Sequence, residues 1–249
     1  MNTQPLERPS RRSRSGRESK NEMCVTQKLL LGGLLLLGLA LVFIGARMTL
    51  AGAASYQADA FLADWRTQTD EPNPQAWTIA QEAAQRAVNL YPVANGDYLE
   101  RLGTVQAWQQ FRQPYGDPAA RASRLAARDS YRAAVEARPT WPYAWVHLAH
   151  SKLYLNELDD EFAQALRQAA ELGPTRFDVH NRLAEIGFTA WPVLNAAQRQ
   201  ATLDSARFSV AYSPAVARKT LLIAEHTGMD DTLCNSLDDQ LKSQRKLCQ

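Results

Sequence analysis

Val135-Glu136-Ala137-Arg138-Pro139 and Ala170-Glu171-Leu172-Gly173-Pro174 close two stretches of chain in the same way, 35 residues apart. In each, an apolar turn rich in helix formers runs into a proline, which cannot continue a helix and tends to follow its end. Val88-Asn89-Leu90-Tyr91-Pro92 before them and Val210-Ala211-Tyr212-Ser213-Pro214 after them repeat the pattern, at spacings of 47 and 40 residues. Four stops of one kind predict repeated helices. The composition agrees, because Ala, Leu, Arg, Gln and Glu dominate and no Asn-Gly or Asp-Gly turn separates alternating apolar runs as a β-hairpin requires.

The central spacing is close to the 34-residue tetratricopeptide period. Ahead of Pro92, Pro139 and Pro174 stand Ala80, Ala84 and Ala87, then Ala127, Tyr131 and Ala134, then Phe162, Leu166 and Ala169. Such offsets put small or aromatic side chains on one stripe of a hairpin's second helix, where it must approach the first. First helices carry a matching signature in Leu99-Leu102-Gly103, Trp145-Leu148-Ala149 and His180-Leu183-Ala184. Three degenerate hairpins are therefore expected at 96–139, 141–174 and 176–214. The first carries an insertion at Gln113-Pro114-Tyr115-Gly116-Asp117-Pro118. The third carries one at Trp191-Pro192-Val193-Leu194-Asn195, where Pro192 breaks a helix and Trp191 wedges into a neighbour. Gly228 reads as a helix stop, and Asp230 or Asp231 as the N-cap of a last helix running to about Arg245.

Leu29 to Ala46 is an unbroken apolar run of 18 residues fenced by Lys28 and Arg47. At about 1.5 Å per residue it spans roughly 27 Å, close to the ~30 Å of bilayer hydrocarbon, which a single segment crosses only as a helix. Ala51-Gly52-Ala53 has the spacing of a signal-peptidase site, but the run is longer than the apolar part of a signal peptide and the tail before it is long. The tail holds Arg8, Arg11, Arg12, Arg14, Arg17, Lys20 and Lys28, whereas Arg47 stands alone just beyond the span, so the tail stays cytoplasmic and the rest is exported. The fold class expected is all-α, a transmembrane helix followed by a tetratricopeptide-like solenoid of helical hairpins. The divisions are a basic disordered tail (1–27), the span (28–47), a juxtamembrane helix and linker (48–74) with Ser55 to Thr67 helical, the repeats (75–228) and a capping helix (229–249).

With seven of the 28 basic and three of the 26 acidic residues in the tail, the exported region is near neutral, which gives no electrostatic case for nucleic acid. Cys234 and Cys248 are the pair on the exported side and are expected to form a disulfide in an oxidising compartment. His147 and His150 share a helical face but lack further metal ligands, and Glu157, Asp159, Asp160 and Glu161 lack the glycine and order of a calcium loop. The acidic run reads as a solvated helix start. No nucleophile elbow or phosphate-gripping loop is present, so neither catalysis nor a cofactor or metal is expected.

Trp141, Tyr143 and Trp145, with Tyr154 and Trp191, have two readings. They are core of the hairpins, or they line a groove in which exposed rings meet a peptide or a sugar, with His147, His150 and Arg182 adding polar contacts.

Arg138-Pro139-Thr140-Trp141-Pro142-Tyr143-Ala144-Trp145, followed by Leu148-Ala149, the run Phe162 to Pro174 and Trp191, resembles the VpsP-like proteins of bacterial exopolysaccharide loci, over about residues 50–249. The resemblance implies an accessory protein of polysaccharide synthesis or export. It would be single-pass in the bacterial inner membrane, with a cytoplasmic N-terminus and a periplasmic C-terminal domain. It implies no catalytic residues. Lys152 and Gly187 stand where the standard repeat has tyrosine. The function expected is a noncatalytic scaffold docking envelope polysaccharide assembly proteins, held in lipid by residues 28–47. The alternative is a tethered periplasmic chaperone beside a translocation or cytochrome-maturation complex. Direct polysaccharide binding by the tryptophans comes third.

Overall fold

The computed structural model describes residues 25–248. Most of the expected basic tail, and Cys24, lie outside the described residues; Val25 to Gln27, assigned to that tail, already belong to the first helix. The described residues form α-helices and two short 3-10 turns, with no strand. The all-α expectation is met.

The chain divides into two units between Phe43 and Ile44. The described part of the first is the start of α1 (Val25–Trp65), with its apolar side chains exposed. Among the described residues this is the one helix long and apolar enough to cross a membrane, by length and composition.

The second unit holds the rest of α1 and ten further helices: α2 (Pro74–Leu90), α3 (Gly96–Trp108), α4 (Arg121–Ala137), α5 (Pro142–Tyr154), α6 (Asp160–Leu172), α7 (Phe177–Thr189), α8 (Ala196–Tyr212), α9 (Pro214–Thr227), α10 (Asp230–Ser236) and α11 (Asp239–Arg245). Consecutive helices pack in pairs, α3 on α4, α5 on α6 and α7 on α8, and each first helix also touches the next, α3 to α5, α5 to α7 and α7 to α9. This is the tetratricopeptide-like hairpin solenoid. Helix starts follow local chemistry: Asn73, Asp159 and Ser213 accept N–H bonds from the first turns of α2, α6 and α9, and Asn195 forms a capping box with Gln198. Asn95 caps α3 through Asp97 and Tyr98, so the Asn95-Gly96 pair starts a helix.

Packing follows the small-residue stripes. Ala58, Leu62 and Trp65 of α1 bury against Ala80, Ala83 and Ala84 of α2 and Leu102 and Val105 of α3. Ala51, Ala54 and Ser55 are buried too, so close packing accounts for the small residues there. A Cβ on Gly103 would lie 2.8 Å from the Tyr131 ring, and one on Gly187 2.8 Å from Thr202 Cβ. Gly187 is thus explained by contact between α7 and α8. The first insertion is a loop held by Arg124, which donates to the carbonyls of Gln113, Pro114 and Tyr154, and Gly116 turns it at φ 74°. At the second, Trp191–Val193 is a 3-10 turn, and Trp191 is half-buried with its ring 6.2 Å from that of Phe188.

The C-terminus differs from expectation. Gly228 ends α9 in the left-handed region (φ 67°), but one helix to Arg245 is replaced by two. Leu237 turns inward, and Asp238 accepts from the Leu241 N–H at 2.7 Å, which starts a new helix. Cys234 and Cys248 form a disulfide, with Cα atoms 5.7 Å apart.

Gly187→Ala should cost ~1–3 kcal/mol through overpacking, seen as a lower urea midpoint, and Thr202→Ala should restore most of it by removing two of the three overlapping atoms. Reduction should cost ~3 kcal/mol, the chain-entropy value for a loop of about 15 residues, in denaturation with and without reductant.

Candidate functional site: a groove along the first helices

Arg101, His147 and Arg182 are each the sixth residue of their helix, α3, α5 and α7. Because first helices stack side by side, the three side chains fall along one groove of about 820 Å³. Asp59, Leu62 and Arg66 of α1 line one end of it, and Trp141 and Tyr143 border it from the start of α5.

Its charges are mostly engaged. Arg101 pairs with Asp59 at 3.4 Å and also donates to Ser55. Glu100 accepts from the Trp141 indole at 3.1 Å. His147 Nδ1 lies 3.0 Å from Glu100 Oε1, an ion-pair distance, but off the line that a ring N–H needs for a hydrogen bond. Arg182 Nη1 donates to Glu185 at 2.7 Å. The Arg138 guanidinium lies 4.1 Å from the Trp141 ring centroid and that of Arg176 lies 5.5 Å from it. Tyr143 donates to Asp178 at 2.5 Å and accepts from Arg176. Partial burial and that bond to a carboxylate push the Tyr143 hydroxyl pKa up.

Of the seven residues singled out in the sequence, the structure brings Trp141, Tyr143, His147 and Arg182 together. Trp145 is only 8% exposed and donates to the Pro139 carbonyl at 2.7 Å, a core position. His150 faces inward with its ring 4.7 Å from that of Tyr154, and Nε2 is shut from solvent with no partner among the described residues. Burial first, then the nearby Arg182 and His147, drive its pKa down to about 3, so it is neutral. Trp191 lines a separate hollow of about 530 Å³ with Tyr115, Phe188 and Met229, and Arg199 sits 5.4 Å from its ring. Arg101, Glu100 and Asp59 were missed. The signal for Arg101 was the shared sixth position of successive first helices.

The acidic run Glu157–Glu161 is a helix start, with Asp159 capping α6, but it is not simply solvated. Lys152 of α5 is 2% exposed, and its ammonium lies 2.6 Å from Glu161, 2.9 Å from Asp159 and 3.6 Å from Glu157. From α4, Arg132 grips Glu161 with two bonds and Arg128 pairs with Glu157. A tyrosine at position 152 would leave these carboxylates without their central cation. Hydrogen bonds from Arg132, then from Lys152, outweigh burial and hold the Glu161 pKa down at about 2. Burial pushes the Lys152 pKa down, but the bonds it donates to Glu161 and Asp159 outweigh that and raise it.

No protein-family model matches the chain, and no curated protein matches it in sequence. Among solved structures it is similar to "Crystal structure of MamA protein", at 14% identity and a TM-score of 0.45, over 80% of this chain and 98% of that one.

Because the Glu161 pKa is depressed on folding, its contribution to stability is complete above the ordinary carboxylate range and is lost as pH falls towards about 2. Lys152→Met should cost ~1–2 kcal/mol at neutral pH by taking the shared cation from three partly exposed carboxylates, two of which keep an arginine partner. That deficit should shrink on acidification, in melting curves across an acid pH series.

Proposed function

We propose that this chain is a noncatalytic, membrane-anchored scaffold whose groove docks an extended segment of a partner protein. The observation that carries the reading is the row Arg101, His147 and Arg182 along one groove, bordered by Trp141 and Tyr143. Repeating donors at the spacing of stacked helices suit a ligand with repeating acceptors, main-chain carbonyls and carboxylates, laid across the hairpins. Rings flanked by the chain's own guanidiniums, at Trp141 and Trp191, favour a polypeptide over stacking on sugar.

The anchor is α1, spanning the bilayer over Leu29–Ala46 with the repeat domain exported. Supporting this are the apolar length, the asymmetry of basic residues across the span, and the Cys234–Cys248 disulfide, which suits an oxidising compartment. The assignment of the partner to envelope polysaccharide assembly rests on the resemblance of the segment from Arg138 to Pro174.

The test is photo-crosslinking from groove positions in intact membranes, with identification of the captured protein. Capture of a polysaccharide assembly protein and altered polymer in a deletion strain support the reading, whereas capture of many unrelated unfolded chains supports a chaperone. Arg182→Ala and Tyr143→Ala should each weaken capture by about tenfold or more with little change in melting. Trp145→Ala should instead unfold the domain, costing ~3–5 kcal/mol.

A further inference from the structure

Arg47, the residue that closes the apolar run, is held by α2. Its Nε donates to the Leu90 carbonyl at 3.1 Å and its Nη2 to that of Asn89 at 3.0 Å, satisfying two carbonyls that the end of α2 leaves open. The start of the α2–α3 turn is thereby fixed beside the residue at which the apolar run ends.

Contacts along α1 act as a ruler. Tyr98 at the start of α3 lies beside Gly52, Arg101 pairs with Asp59, and the Trp108 ring at the end of α3 is 6.1 Å from that of Trp65. Thus α3 runs parallel to α1, and α2 runs antiparallel, its last carbonyls reaching Arg47. Residues 91–94 follow directly on the two carbonyls that Arg47 holds, and Asn95 then starts the return along α3. They are Tyr91-Pro92-Val93-Ala94, with no charge, and Val93 is 67% exposed. Tyr91 packs edge-on against Tyr98, ring centroids 5.3 Å apart. On α1, just beyond the apolar run, Met48 and Leu50 are exposed as well. The opposite α1–α2 turn carries Asp70 and Glu71, which bind Arg112.

We infer that the α2–α3 turn is a membrane-docking element, placing Val93 and Pro92 in the lipid interface beside the anchor, with the Tyr91–Tyr98 pair at headgroup level. The interface adds several Å on each side of the hydrocarbon, and a turn bonded through its neighbours to Arg47 falls within it. Uncharged apolar residues with tyrosines beside them fit that zone, where an amphipathic ring has one end dry and one end wet. The repeat domain would then be held at the bilayer by two points. This inference rests on the reading of α1 as a span.

The test uses the full chain with Cys24→Ser, the native disulfide retained, and one nitroxide at Val93→Cys or at Thr69→Cys. Thr69 lies in the far turn, about 30 Å along α1 by helix rise. In nanodiscs of phosphatidylethanolamine and phosphatidylglycerol, the label at 93 should collide with dissolved oxygen in preference to a water-soluble nickel chelate, and the label at 69 should show the reverse. Equal access of the chelate to both positions, in chain that has entered the nanodiscs, would overturn the docking turn alone. Failure of the chain to enter nanodiscs or to resist carbonate extraction would overturn the anchor and the docking turn together.

Discussion

How closely two helices pass is set by the smallest side chains between them, and in this chain alanine and glycine occupy the contact lines. Ala80, Ala84 and Ala87 on α2, Ala127 and Ala134 on α4, and Ala165 and Ala169 on α6 are all but inaccessible. Gly103 and Gly187 are the limiting cases, since even a methyl group would enter the partner helix. Tight pairing of each hairpin leaves its first helix free to stack on the next. That stacking lines up the sixth residues of α3, α5 and α7.

Polar chemistry is placed on this frame in two ways. On the groove side, Arg101, Glu100, His147 and Arg182 remain at least partly accessible, in pairs that a ligand can rearrange at small cost. Between α4, α5 and α6, Lys152 is withdrawn from water and bound by three carboxylates, two of which also meet arginines. A buried cation with that many partners is costly to unpair, so it pins the register of three helices. His150 illustrates the contrary case. Sharing a helical face with His147, it turns inward to Tyr154 and is held neutral, so of the two imidazoles only that of His147 faces the groove.

Much of this was legible from periodicity. Prolines at 92, 139, 174 and 214 marked the ends of second helices because a residue without an N–H cannot continue the ladder. The pairing of Cys234 with Cys248 followed from there being two such residues beyond the apolar run. Less legible were features whose meaning depends on a neighbour distant in sequence. By sequence Lys152 is a departure from the repeat and the acidic run a solvated helix start, because the cations that bind the run come from α4 and α5. The sequence predicts one last helix because Leu237 carries no local sign that it must turn inward.

The sequence by itself determined that the chain is helical, where its hairpins begin and end, and which small residues face a partner helix, because these follow from backbone hydrogen bonding and from the 3.6-residue period of the chain's own turns. Tertiary structure alone decided which of the aromatic and titratable residues face the groove and which enter the core. Trp141 and Tyr143 border the groove while Trp145, two residues on, is core, and the polar partners of the first two come from α3, 41 residues before, and α7, 35 residues after. Local pattern gives a side chain its direction on the helix, but only the packing of other helices decides whether that direction meets solvent or protein.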